Sequence, residues 1–200
     1  MLRSELKISI LFTLITALAL GVLYPLAVTG IAHIALPRQA EGELMLRNGQ
    51  VIGSELIGQS FTSDRYFHGR PSAAGNGYDA TSSGGSNYGP TNQKLFARMA
   101  ADIAAYQAHG NGRPVPIDLV TASASGLDSD ISPAAALYQA PRVAQARRLP
   151  EDNVRTLVLE HVRGRQFGVL GDPRVNVLDL NLALDQLAGQ SSAPRRSPSP

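Results

Sequence analysis

The sequence predicts an α+β fold, in which one N-terminal transmembrane helix is followed by a single exported mixed α/β domain. Three observations predict it. A run of 30 residues without Asp, Glu, Lys or Arg lies between Lys7 and Arg38, and Asn48-Gly49 stands as a turn signal between two short apolar runs. Helical periodicities with cap residues then alternate with β-branched segments. A chain of 200 residues has room for one ordinary domain beside such a span, not for two independent cores.

Residues 1–37 read as a cytoplasmic stub and transmembrane helix, because about 20 apolar residues cross a bilayer. A cleaved signal has an apolar core of about 7 to 15 residues, and the run from Ile8 to Ala32 is about twice as long. Pro25 removes one backbone donor in mid-span, and Gly21 and Gly30 permit close helix contact. Arg3 and Lys7 precede the span, whereas Arg38 alone follows it with Glu41 and Glu43 nearby. The basic end stays cytoplasmic, which exports the remainder to the outer face of the membrane.

Residues 38–189 make up the exported domain. "ELMLRNGQVIGSELIGQSF" predicts a β-hairpin, since Asn-Gly suits a turn that needs two positive φ angles. A glycine, serine and asparagine region follows from about Ser63 to Pro90. Leu95, Met99, Ile103 and Tyr106 are spaced for a helix with Thr91 or Asn92 as its cap and Gly110 as its stop. Val115–Ser123 predicts a buried strand. Ser132 and Pro133 open another helix, interrupted at Pro141 and resumed until Pro150. "EDNVRTLVLEHV" predicts a helix, "RQFGVLG" a short strand, and "NVLDLNLALDQL" a last helix capped by Asn176. Residues 190–200, "QSSAPRRSPSP", lack the apolar content to order themselves and read as a disordered tail.

Composition narrows the chemistry. The formal net charge of +2 gives no basic surface of the kind nucleic acid requires. With no cysteine there is no disulfide, thiolate metal site or cysteine nucleophile. Neither lysine, Lys7 or Lys94, follows a glycine, so the P-loop of an ATPase is absent. The four histidines are scattered, no nucleophile elbow surrounds Ser123 or Ser125, and no catalytic constellation is complete. Asp128 and Asp130 supply two carboxylates where calcium wants six to eight oxygens, so they read as a loop entering the helix at Ser132. One transmembrane helix cannot enclose a potassium filter. Ser83, Gly84, Gly85, Ser86 and Asn87 could form an anion-binding nest ahead of a helix N-terminus, or simply an irregular loop in which glycine permits positive φ.

Four segments together carry a resemblance: "YFHGRPSA" at 66–73, "SSGGSNYGPTN" at 82–92, "VPIDLVTASASGLDSDISPAAALYQAPRVAQAR" at 115–147 and "LGDPRVNVLDLNLAL" at 170–184. They resemble the C subunit family (KdpC) of the Kdp potassium-transporting P-type ATPase. The resemblance implies a non-catalytic accessory subunit in the bacterial inner membrane, within a complex that imports potassium at the expense of ATP. Its partners there would be a channel-like potassium-translocating subunit, a P-type ATPase subunit and a small hydrophobic subunit. It also implies a catalytic chaperone that raises the pump subunit's affinity for ATP, with Ser83, Gly84, Gly85, Ser86 and Asn87 compared to an ABC transporter signature; no cofactor is bound by the chain alone. The charge bias across the span places that stretch on the side where ATP is absent, so direct contact and the expected topology oppose each other. The alternative class is a membrane-tethered solute or nucleotide-binding module that uses the same loop.

Overall fold

The computed structural model describes residues 2–47, 49–108 and 112–191. The chain divides into two compact units, one up to Ser54 and one from Glu55.

In the first unit, α1 (Leu2–Leu18) runs into a five-residue π-helical turn, Ala19–Leu23, and then α2 (Tyr24–Ala35). Together Arg3–Ala35 is long and apolar enough to cross a membrane, and none of it is buried within the protein. The π turn has a local cause. Pro25 lies in the first turn of α2 with no N–H to donate, and its ring crowds the preceding turn; the helix widens there, so that Tyr24 N–H reaches back five residues to the Ala19 carbonyl. A single turn, α3 (Pro37–Ala40), leads to the predicted hairpin, β1 (Leu44–Arg47) against β2 (Gln50–Ser54). Gly49 supplies a positive φ of 78° at its tip, while Asn48 lies outside the described residues.

The second unit is built on three helices: α5 (Pro133–Arg147), α6 (Glu151–Glu160) and α7 (Val177–Ser191). Their apolar faces bury Ala136, Val143, Val154, Val158, Leu180 and Leu184 in one core with Phe67 and Leu119. A two-residue ladder, β3 (Asp130–Ile131) antiparallel to β4 (Val175–Asn176), starts α5 and α7 from a common point. Ser132 caps α5 by accepting from Ala135 N–H at 3.1 Å, and Asn176 caps α7 by accepting from Asp179 N–H at 3.1 Å, as the sequence predicts. A further helix, α4 (Gln93–Gln107), is capped by Asn92 and has no fully buried residue; its predicted stop at Gly110 lies outside the described residues.

Four element predictions are corrected. Val115–Ser123 contains a 3-10 turn at Ile117–Leu119 in place of a strand. Pro114 and Pro116 cannot donate to a ladder, and Asp118 instead accepts from Ser132 N–H at 2.7 Å. α5 continues through Pro141, because the buried run on either side of it, Ala140 and Val143 included, outweighs the lost bond. "RQFGVLG" forms the end of an irregular hairpin: Arg163 pairs with Arg174 and Gln166 with Leu170. α7 extends to Ser191, so the beginning of the predicted tail is helical, and residues 192–200 lie outside the described residues.

Candidate functional site

The segment Asp64–His68 lies on the core without a strand neighbour, and side chains of α5 and α7 take the place of one. Five successive carbonyls accept from these helices: Asp64 from Arg142 at 2.8 Å, Arg65 from Arg147 Nε at 2.6 Å, Tyr66 from Arg142 at 3.0 Å, Phe67 from Asn181 Nδ2 at 3.0 Å and His68 from Gln139 Nε2 at 3.0 Å. The same two amides accept in return, Asn181 Oδ1 from Phe67 N–H and Gln139 Oε1 from His68 N–H, both at 2.8 Å. Buried backbone groups must be paired, and here helices pair an irregular loop. Arg147 also bonds Asp185 at 2.8 Å and lies 4.7 Å over the Tyr66 ring.

Beyond His68 the chain is tied to a second loop, residues 121–128. Arg70 donates to the Thr121 carbonyl at 3.2 Å and pairs with Asp128 at 2.9 Å. Tyr78 Oη donates to the Arg70 carbonyl at 2.5 Å, and Ser72 Oγ donates to the Gly126 carbonyl at 2.6 Å. Gly126 has a φ of +67°, and a Cβ there would lie 2.7 Å from both the Ala74 nitrogen and the Gly84 oxygen, so only glycine fits.

The glycine-rich stretch packs on this loop. Gly84 N–H donates to the Ser125 carbonyl at 2.9 Å and Ser83 Oγ donates to the same oxygen at 3.0 Å. A Cβ on Gly85 would lie 3.0 Å from the Ala124 oxygen, whereas one on Gly84 meets nothing within 4 Å. Ser86 is half-buried and Asn87 exposed with a φ of 52°. Of the five predicted residues, Ser83 and Gly84 thus commit the hydroxyl and amide they would offer an anion to the Ser125 carbonyl. Asp128 and Asp130 are committed as well, to Arg70 and to Arg174 at 3.0 Å respectively. Among the described residues no three His, Asp or Glu gather as metal ligands.

A cavity of about 300 Å³ opens beside the latched segment, lined in part by His68, Arg70, Tyr78, Asp102, Tyr106 and Leu119. A second of about 270 Å³ shares His68 and Tyr106 and adds Asp64, Ala105 and Arg142. Burial sets the protonation there. It pushes Tyr78 up to about 12, helped by Tyr106 and Asp128, and it raises Tyr106. Burial and then the Arg142 charge hold His68 below its usual value, so its ring is neutral at pH 7. Such a lining can hold a small polar solute. His68 Nε2 lies 3.1 Å from the Ser63 carbonyl.

Sequence reasoning missed Gln139, Asn181, Arg142 and Arg147. Two of them carry a readable signal. Asn181 shares a helix face with Val177, Leu180 and Leu184, and Gln139 with Ala135, Ala136 and Val143; an amide on a core-facing stripe needs buried partners.

Comparison with known proteins adds to this geometry. Residues 6–186 match the family profile described as "KdpC: K+-transporting ATPase, c chain". A protein of Acidobacterium capsulatum named potassium-transporting ATPase KdpC subunit is 59% identical over 184 residues, covering 92% of this chain and 99% of its own. Proteins of the same name from Koribacter versatilis and Gemmatimonas aurantiaca are 52% and 53% identical, covering 92% and 97% of this chain and 95% and 98% of theirs.

Proposed function

This chain belongs to the KdpC family, the c chain of K+-transporting ATPases, and from that premise we propose that it is a non-catalytic accessory subunit that stabilises the transporting assembly from outside the membrane. The N-terminal helix anchors it in the cytoplasmic membrane with the basic end inside. The domain from Glu55 onward docks on a channel-like potassium-translocating subunit, in an assembly completed by a P-type ATPase subunit and a small hydrophobic subunit. Any rise in the pump's affinity for ATP then passes through linked subunits as a coupling free energy, not through nucleotide held on Ser83–Asn87. The observation that carries this reading is the inward commitment of Gly84 N–H and Ser83 Oγ to the Ser125 carbonyl.

Extraction in mild detergent tests it: the chain is expected to co-purify with a multi-span protein and an ATPase, and recovery of a free monomer would sink the reading. A reporter attached after residue 200 is expected outside the membrane. The nucleotide-binding alternative expects the isolated full chain in detergent to take up ATP with measurable heat, and to lose that heat on Gly84→Ala.

A further inference from the structure

The irregular hairpin between Arg163 and Arg174 ends in an apolar tip that the second unit leaves open. Phe167 is 92% exposed, Val169 71% and Leu170 56%. The backbone is organised to present them. Gln166 and Leu170 exchange both backbone bonds at 2.9 Å, and Phe167 and Gly168 turn the chain with φ of 52° and 77°. A positive φ is strained for an aromatic residue, so the ring is held outward at an energetic cost. The charges of the stem are already matched: Arg163 with Glu55 and Asp179, Arg165 with Asp172, and Arg174 with Asp130.

We propose that this finger inserts Phe167, Val169 and Leu170 into the bilayer that the chain's own N-terminal helix crosses, an inference that rests on the reading of Arg3–Ala35 as a membrane span. Area argues for lipid over protein. Three side chains expose a few hundred Å², well under the roughly 1,200 Å² of a specific protein interface. For a domain already tethered to a membrane, a small apolar area suffices, because association entropy has been met by the anchor. Reach agrees. Ser54 Oγ donates to the Gly42 carbonyl at 2.6 Å and closes the β1–β2 hairpin on its base, so the chain leaves Ser54 about seven residues past Ala35, within roughly 25 Å of the helix end. The next residue, Glu55, pairs with Arg163 at the root of the finger. Because every arginine of the stem is already ion-paired, insertion is driven by apolar burial and does not depend on anionic lipid.

The chain has no tryptophan, which makes Phe167→Trp a single fluorophore at the tip. The full-length variant is reconstituted in nanodiscs of phosphatidylcholine, with and without phosphatidylglycerol. The expected result is blue-shifted emission, most of it lost to lipids brominated near the headgroup end of their acyl chains, to the same extent in both compositions. Adding Val169→Asp and Leu170→Asp is expected to abolish that quenching while circular dichroism and the melting temperature stay unchanged. Red, unquenched emission from chain that has entered the discs overturns the proposal and leaves the span reading intact. Failure to enter the discs overturns both. Shielding of the tryptophan that appears only when the other ATPase subunits are present overturns the proposal in favour of a protein pocket.

Discussion

Asn181 serves Phe67 as a complete strand neighbour: Oδ1 accepts the Phe67 amide at 2.8 Å and Nδ2 donates to the Phe67 carbonyl at 3.0 Å, with both residues buried. Replacing it with alanine strands two backbone groups in the core. Asn181→Ala is expected to cost about 2–6 kcal/mol, on a penalty of about 1–3 per unpaired buried group. Denaturant titration of the detergent-solubilised chain checks this, and a cost below about 1 kcal/mol would show that the loop does not depend on the clamp.

Arg147 is a sterner case than its charge suggests. Its side chain is 3% exposed, bonds the Arg65 carbonyl and Asp185, and stacks on Tyr66. Lysine keeps the charge and loses the planar fork and the stacking. Arg147→Lys is expected to destabilise by about 1–3 kcal/mol, and thermal melts of the two proteins side by side measure it.

The glycines separate by geometry. Gly126→Ala forces a Cβ to 2.7 Å from backbone at a φ of +67° and is expected to cost more than about 2 kcal/mol. Gly84→Ala places its methyl in open space and is expected to fall within about 0.5 kcal/mol of the parent. That neutrality makes Gly84→Ala a clean probe in the assembled transporter. The ATP concentration giving half-maximal hydrolysis is expected not to move, and an increase at unchanged stability would point to direct nucleotide contact.

His68 makes stability depend on pH. Its pKa is lowered in the fold by burial and then by Arg142, so below the ordinary value of about 6.5 the unfolded chain binds the extra proton first. The contribution is complete above pH 6.5 and is lost as pH falls from there through the folded value. Melting temperatures followed from pH 7.5 to 5.5 are expected to fall, and to fall less steeply in His68→Gln. Equal slopes in the two proteins would remove His68 as the cause.

The apolar span, the hairpin at Gly49 and the caps at Asn92, Ser132 and Asn176 were legible because each is a local rule: an uninterrupted apolar length, a turn dipeptide, a side-chain oxygen before a helix. Val115–Ser123 reads as a strand on its β-branched residues, but Pro114 and Pro116 deny a ladder its donors and the segment turns instead. Pro141 misled in the opposite sense, since tertiary burial overrode a local breaker. The glycine-rich stretch could be located in the sequence but not understood, because Gly84 answers to Ser125 and Gly126 to Ala74, partners 41 and 52 residues away in the chain. Nothing in a local window tells a glycine that frees an anion site from one that lets two loops touch.

The π turn at Ala19–Leu23 also resets the azimuth of the first helix. Absorbing one extra residue rotates every side chain after it by about 100° relative to the count that holds before it. A stripe read at every fourth position from Leu6 therefore does not continue along the same side past Tyr24. Two helices or two lipid environments could be addressed in succession, one by each half, and deleting a single residue from Ala19–Leu23 would bring both halves back into phase.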